Sequence, residues 1–213
     1  MSIYSKIIDI QKLGQAWDRV RKNKSAPGVD NVTYEMFEER RREELRQLNL
    51  ELSEHRYESL PVKLTNLYKG EKVRTIALFS MRDKVVQQSL AHELGRIYEP
   101  LFSAGACAYR PGQSALEALK LIEDKIREQQ NLWVLKMDIR DYFDRIPHEK
   151  LLRLLEKRIR ERDVLELIQA VISAKVLDPR TGELMKNETG IYQGSSCAPL
   201  LSNIYLMDFD REM

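Results

Sequence analysis

The run VLKMDIRDYFDRIPH (134–148) carries Asp138, Asp141 and Asp144 at intervals of three, after an apolar stretch of β-favouring residues. An unpaired buried carboxylate is expensive, so the first of them requires a helix cap, a Lys or Arg partner, or a bound cation. Its neighbours Leu132, Val134, Leu135, Met137 and Ile139 have the character of a core strand, which puts Asp138 at a strand end. There it either pairs with a nearby cationic side chain or ligates a hard ion such as Mg²⁺, which takes one or two carboxylates and leaves its other positions to water and phosphate. A sheet would hold the backbone of such a ligand rigid and leave its side chain at the rim. Asp144 stands just ahead of Ile146-Pro147-His148 and reads as a turn or cap residue.

The elements that must position these groups are legible along the chain. Helical spacing over 5–22 (Ile7, Ile8, Leu13, Trp17, Val20) stops at SAPGVD (25–30), where Pro27 and Gly28 break it. Thr33 is placed to cap a helix with acids early and Arg40 to Arg42 late. Two β-capable runs around Lys69-Gly70-Glu71-Lys72 predict a hairpin with a basic tip. Ser80-x-x-Asp83 opens a helix over 81–98, closed by Pro100, and AYRPGQS (108–114) is a loop. A helix over about 114–130 follows, with Leu116, Leu119, Ile122 and Ile126 on one face. Pro147 starts another helix, Asp163 with Glu166 caps the next, and DPRTGE (178–183) is the turn of a second hairpin. Pro199 opens a last helix. The expected fold class is α+β, helices packed on a small, mainly antiparallel sheet.

The 213 residues suffice for one large domain or two small ones. Their 43% hydrophobic and 32% charged content is that of an ordinary globular protein. No run approaches the length of a membrane span, and the N-terminus lacks an apolar signal core, so a cytoplasmic location is expected. Cys107 and Cys197 stand alone, which argues against a zinc site or a disulfide framework and for two small buried hydrophobes. The net charge of +2 is uneven: residues 1–112 hold 19 Lys and Arg against 15 Asp and Glu, residues 113–213 hold 16 against 18. A basic front suits anion contacts, an acidic back a cation.

DIRDYFDRIPHEKLL resembles the palm motif of reverse transcriptases, in the version carried by group II intron-encoded proteins and their bacterial relatives. SAPGVD, KVRTIALFSMRDKVVQQSL, AYRPGQSALEAL and QGSSCAPLLSNIYL resemble further motifs of that family in the same order, so the likeness covers about 25–213. It implies right-hand polymerase fingers over 1–112 and a partial palm over 113–213 that includes a return segment to the fingers. It further implies two-metal nucleotidyl transfer: a primer 3′-hydroxyl attacks the α-phosphate of a dNTP on an RNA template and pyrophosphate leaves.

On that resemblance Asp138, the catalytic carboxylate, and the Ile139 carbonyl would hold Mg²⁺. Arg140, Asp141 and Tyr142 would hold the triphosphate through backbone N–H groups, and Phe143 would lie under the deoxyribose and reject a 2′-hydroxyl. Arg74 and Lys69 would reach the triphosphate from the hairpin, although the hairpin is about one residue shorter than the family's and has Tyr68 where its Lys would count from Arg74. Gln193 would sit beside the new base pair, Gly194 would let the template approach closely, and Arg110 with Pro111 would line the template path. Ala198 precedes Pro199 where the family usually has Ser.

The Tyr-x-Asp-Asp hairpin that supplies the family's remaining carboxylates does not occur before Met213, and Asp208 and Asp210 have the wrong spacing for it. One Asp cannot hold two Mg²⁺ ions together, so this stretch alone is expected to be inactive: fingers and half a palm, or half of a split enzyme. Two other readings compete. One is a non-catalytic RNA-binding module that grips intron RNA for splicing; the other is a CRISPR-associated or phage-defence reverse transcriptase. Fingers without a thumb would expose apolar surface, so self-association is a further expectation.

Overall fold

The computed structural model describes residues 2–70, 72–128, 133–178 and 180–212; the side chains at 69 and 72 lie outside the described set. The expected first helix is two, α1 (Ile3–Ile8) and α2 (Ile10–Val20), because Asp9 turns the chain and accepts from the N–H groups of Gln11 and Lys12. Thr33 caps α3 (Tyr34–Glu39) as its type predicts, but the helix breaks at Arg40 and α4 (Arg41–Ser53) begins there. The three consecutive arginines therefore straddle a junction instead of ending a helix. The hairpin forms as β1 (Val62–Lys69) and β2 (Lys72–Leu78), with Lys69 opposite Lys72 at its tip.

Helix α5 (Met81–Tyr98) has the predicted bounds, and the Ser80 hydroxyl caps it at Asp83 N–H. It is the spine of the molecule: Val85, Val86, Leu90 and Leu94 are fully buried against α1 and α2. Its Asp83 carboxylate is buried and accepts from the Tyr57 hydroxyl (2.8 Å), the Leu60 N–H (3.0 Å) and the Ser80 hydroxyl (2.8 Å), which ties the chain ahead of β1 to the spine. Burial still pushes that carboxyl above its usual pKa, the three donors and the Arg82 charge acting against it. The Lys84 ammonium donates to the Ser25 hydroxyl (2.9 Å) and the Ala26 carbonyl (2.6 Å), fastening SAPGVD to the same helix.

Beyond α6 (Ala115–Glu128), the helices α7 (His148–Glu156), α8 (Arg162–Ile172) and α9 (Ala198–Glu212) pack Leu151, Leu155, Ile168, Leu201 and Ile204 into the same core. The cap of α8 is Glu161, not Asp163. The Glu161 carboxylate turns instead to α1 and accepts from Ile3 N–H (2.7 Å) and Tyr4 N–H (2.8 Å). Burial opposes its ionisation, yet these two donors hold the pKa below the ordinary Glu value.

The second hairpin, β3 (Val176–Leu177) and β4 (Leu184–Met185), turns on Asp178, whose carboxylate accepts from Arg180 N–H. It joins the first in one mixed sheet of order β2-β1-β3-β4, antiparallel except where β1 meets β3. The fold class is thus α+β as expected, helices on a small, mainly antiparallel sheet.

The opening stretch departs from expectation. Residues 133–139 join no sheet among the described residues. Trp133 is 99% exposed and Val134, Leu135, Met137 and Ile139 are exposed as well. Leu116, Leu119, Ile122 and Ile126 of α6 are also open to solvent, so neither apolar face is covered among the described residues. β-propensity makes a segment able to pair, but a strand exists only where a neighbour offers its ladder. Cys197 is buried, with burial raising its thiol pKa to about 11, whereas Cys107 is half-exposed and not a core residue.

Candidate active site

After Ile139 the chain turns sharply. Asp141 takes a left-handed conformation (φ +50°), its carbonyl accepts from Asp144 N–H (3.0 Å), and Phe143–Arg145 form a 3-10 turn. Asp144 lies in that turn, as its place ahead of Pro147 indicates. The N–H groups of Asp141 and Tyr142 donate to no backbone acceptor among the described loop bonds, which leaves them available to an anion. Tyr142 itself is anchored: its hydroxyl donates to the Ser202 carbonyl of α9 (2.7 Å), and burial keeps it protonated far above the ordinary phenol pKa. Phe143 is half-buried, edge-on to Tyr142 (5.6 Å) and Tyr109 (6.2 Å).

The segment 187–193 closes onto this turn. His148 Nε2 meets the Gly190 carbonyl at 2.6 Å, so that nitrogen carries the proton. Ile191 N–H donates to Phe143 O and Gly190 N–H to Ile146 O, both at 2.8 Å. Gly190 has φ +83°, and a Cβ there would stand 2.7 Å from the Asp144 carbonyl oxygen. His148 and Gly190 were not among the residues singled out from sequence; a His just after the proline was visible, but its acceptor lies 42 residues away.

On the other side the same segment meets β2. Ala77 N–H donates to the Gln193 carbonyl (2.8 Å), and Gly194, with φ +110°, would place a Cβ 2.5 Å from the Ala77 carbonyl oxygen. Gly194 thus permits a close approach to the hairpin of its own chain. Gln87 of α5, wholly buried, accepts from Ser196 N–H (3.2 Å) and pins the loop from behind.

These contacts border a cleft of about 410 Å³ walled by Val73, Arg74, Thr75 and Ala77 of β2, by Asp141 and Asp144 of the turn, and by Asn187 and the residues 189–193. Three expected nucleotide-contacting residues, Arg74, Asp141 and Gln193, thus share one wall-to-wall space although they are far apart in sequence. Arg74 is exposed and Asp141 makes a solvent-open pair with Arg145 (3.3 Å), so both retain hydrogen-bonding capacity. Arg140 is exposed next to the cleft in sequence but does not line it. Lys69 ends β1, and its side chain lies outside the described residues.

Asp138 is exposed and forms no ion pair among the described residues. The paired-carboxylate alternative is thus not what the structure shows, and neither is the strand end. A free carboxylate beside the exposed Ile139 supplies oxygen of the kind that Mg²⁺, a hard ion, takes. No cluster of three or more acidic, His or Cys residues occurs among the described residues, so the donor set is partial.

Arg110 is engaged elsewhere. Its guanidinium donates to Glu99 (2.8 Å), the Ser103 carbonyl (2.7 Å) and the Ala106 carbonyl (2.9 Å), and lies over the Phe102 ring. It organises the 102–111 loop, and its charge is partly neutralised by Glu99. Pro111, beside it, is exposed and lines a separate cleft.

The cleft sets Arg74 of the hairpin across from Asp141 of the turn, a charge and hydrogen-bonding arrangement compatible with a phosphate-bearing ligand. The chain belongs to the reverse transcriptase (RNA-dependent DNA polymerase) family, whose model matches residues 67–213. It is similar to protein YkfC of Escherichia coli K12, 30% identical over 194 residues covering 89% of this chain and 50% of that one. It is similar also to the group II intron-encoded protein LtrA of Lactococcus lactis subsp. cremoris, 29% identical over 89% of this chain and 31% of LtrA. A protein encoded in the cob intron of Schizosaccharomyces pombe is 37% identical over 65% of this chain and 17% of that one. The resemblance to the group II intron type therefore holds. The fold matches a chain of a partial Cas6-RT-Cas1–Cas2 complex with a TM-score of 0.65 at 22% identity, over all of this chain and 35% of that one. The chain spans half or less of the length of these relatives.

Proposed function

We propose that this chain forms the fingers (1–112) and part of the palm (113–213) of an RNA-directed DNA polymerase of the group II intron-encoded type. The observation that carries the proposal is the cleft that gathers Arg74, Asp141 and Gln193 beneath the hairpin. In it the triphosphate of a dNTP lies between the planar fork of Arg74 and the N–H groups of Asp141 and Tyr142. Gln193 faces the base pair, and Phe143, locked by Tyr142 and Tyr109, supplies a rigid wall under the sugar. Asp138 and the Ile139 carbonyl would hold Mg²⁺, which when bound polarises the phosphate and activates the attacking hydroxyl.

The substrates follow as an RNA template, a DNA primer and dNTPs, and the names of the relatives make intron RNA a second partner. No helix among the described residues is long and apolar enough to cross a membrane.

The test is primer extension on an RNA template by the full-length protein that carries this chain. Arg74→Ala is expected to raise the KM for dNTP by about tenfold or more, in line with loss of a charge-assisted hydrogen bond. Asp138→Asn is expected to abolish extension while leaving RNA binding intact. Unchanged extension by Asp138→Asn would refute the assignment, and so would robust extension by residues 1–213 alone.

A further inference from the structure

Phe143, the proposed wall under the sugar, is held by more than its aromatic neighbours. Its carbonyl accepts from Ile191 N–H at 2.8 Å. That N–H and the Gly190 carbonyl are the two ends of one peptide unit, which is planar and points them in opposite directions. The carbonyl end meets His148 Nε2 at 2.6 Å. One rigid plate is therefore clamped between the imidazole of His148 and the backbone of Phe143. Asn187 Nδ2 also reaches the Gly190 carbonyl, but at 3.3 Å, and it is engaged more closely by the Ile172 carbonyl at 2.7 Å.

The plate needs its clamp because a glycine flanks it. Gly190 has φ +83°, and a Cβ there would stand 2.7 Å from the Asp144 carbonyl oxygen, so a side chain has no room. Glycine constrains its own dihedrals least, so the plate beside it lacks the steric restoring force that a side chain would supply. Tilting it would carry Ile191 N–H away from the Phe143 carbonyl. Gly190 N–H donates to the Ile146 carbonyl at 2.8 Å, but that group belongs to the preceding peptide unit. His148 holds this one. The residue is buried and opens α7 directly after the turn, so the helix fixes its place. A donor on the carbonyl end also polarises the amide and strengthens the bond made at the N–H end.

We propose that His148 is a positioning residue for nucleotide selection. By fixing the Gly190–Ile191 peptide it sets how firmly Phe143 stands beneath the sugar, and so how strongly a 2′-hydroxyl is rejected. The inference rests on the polymerase reading and on the place of Phe143 within it. His148 acts through two hydrogen bonds in series. A wall that recedes admits the extra oxygen of an rNTP, whereas a dNTP needs no such room.

The experiment is single-nucleotide incorporation by the full-length protein that carries this chain, with dNTP and rNTP measured separately. His148→Leu keeps bulk and removes the donor. It is expected to lower the ratio of kcat/KM for dNTP over rNTP roughly tenfold, the size of one buried hydrogen bond. His148→Gln, whose amide offers a donor at similar reach, is expected to recover most of that ratio. Loss of packing alone would reduce use of both nucleotides by the same factor. An unchanged ratio in His148→Leu would thus overturn the proposal and leave the polymerase reading intact. A wild type that incorporates neither nucleotide would remove the polymerase reading, and the selectivity role with it. Should His148→Leu melt too low to assay, nitrogen NMR of wild type with isotopically labelled histidine decides. A proton on His148 Nε2 is expected; a neutral ring protonated on Nδ1 would break the clamp and overturn the proposal.

Discussion

At the scale of single residues, the cleft depends on atoms that are absent as much as on those that react. Gly194 is positioned so that any side chain would enter the van der Waals space of the Ala77 carbonyl and force an L-residue to hold φ +110°. Gly194→Ala is expected to lower stability by about 1–3 kcal/mol from backbone strain, read as a reduced urea midpoint. It should also separate the Gln193 wall from β2 and so weaken dNTP use. The His148–Gly190 bond acts on the opposite wall. None of these contacts could be assigned from residue type, since glycine in a loop is compatible with a turn, a bulge or a ligand. The free state of Asp138 is likewise a matter of what surrounds it, namely no described cation within ion-pair distance.

At the scale of elements, α5 gathers the pieces: Asp83 holds the chain ahead of β1, Gln87 the loop after Gly194, and Lys84 the SAPGVD loop. Burial lowers the Lys84 pKa from 10.5 to about 8, and the Asp30 charge only partly offsets this. Between about pH 8 and 10.5 the unfolded chain therefore binds more protons at this site than the folded one. Stability contributed by the group rises with pH across that window, because the ordered state sheds a proton that the unfolded state keeps. Denaturation of wild type and Lys84→Met at a series of pH values checks this: the wild type should gain on the variant from about pH 8 upward. A constant difference would show that the ammonium is not desolvated by its seat beneath Ser25 and Ala26.

At the scale of the whole molecule, one side is a well-packed core built around Trp17, Leu90 and Tyr98, and the other presents α6 and residues 133–139 with their apolar side chains in water. Contiguous exposed apolar surface drives association. The 213-residue chain is expected to self-associate as its concentration rises, and Leu119→Lys with Trp133→Ser should shift sedimentation toward the monomer. The capped starts at Thr33 and Ser80, the hairpin of β1 and β2 and the bounds of α5 were all legible from residue order. Each rests on hydrogen bonds made within a few residues or on a turn that brings its own strands together. The ordered set of motifs likewise identified the family. Pairing of 133–139, the break at Asp9, the engagement of Arg110 by Glu99 and the meeting of Gly194 with Ala77 depend on partners remote in the chain or on space between elements. A segment's own residues state what it can bond to, but only the packed arrangement of all the elements sets which partner is within reach.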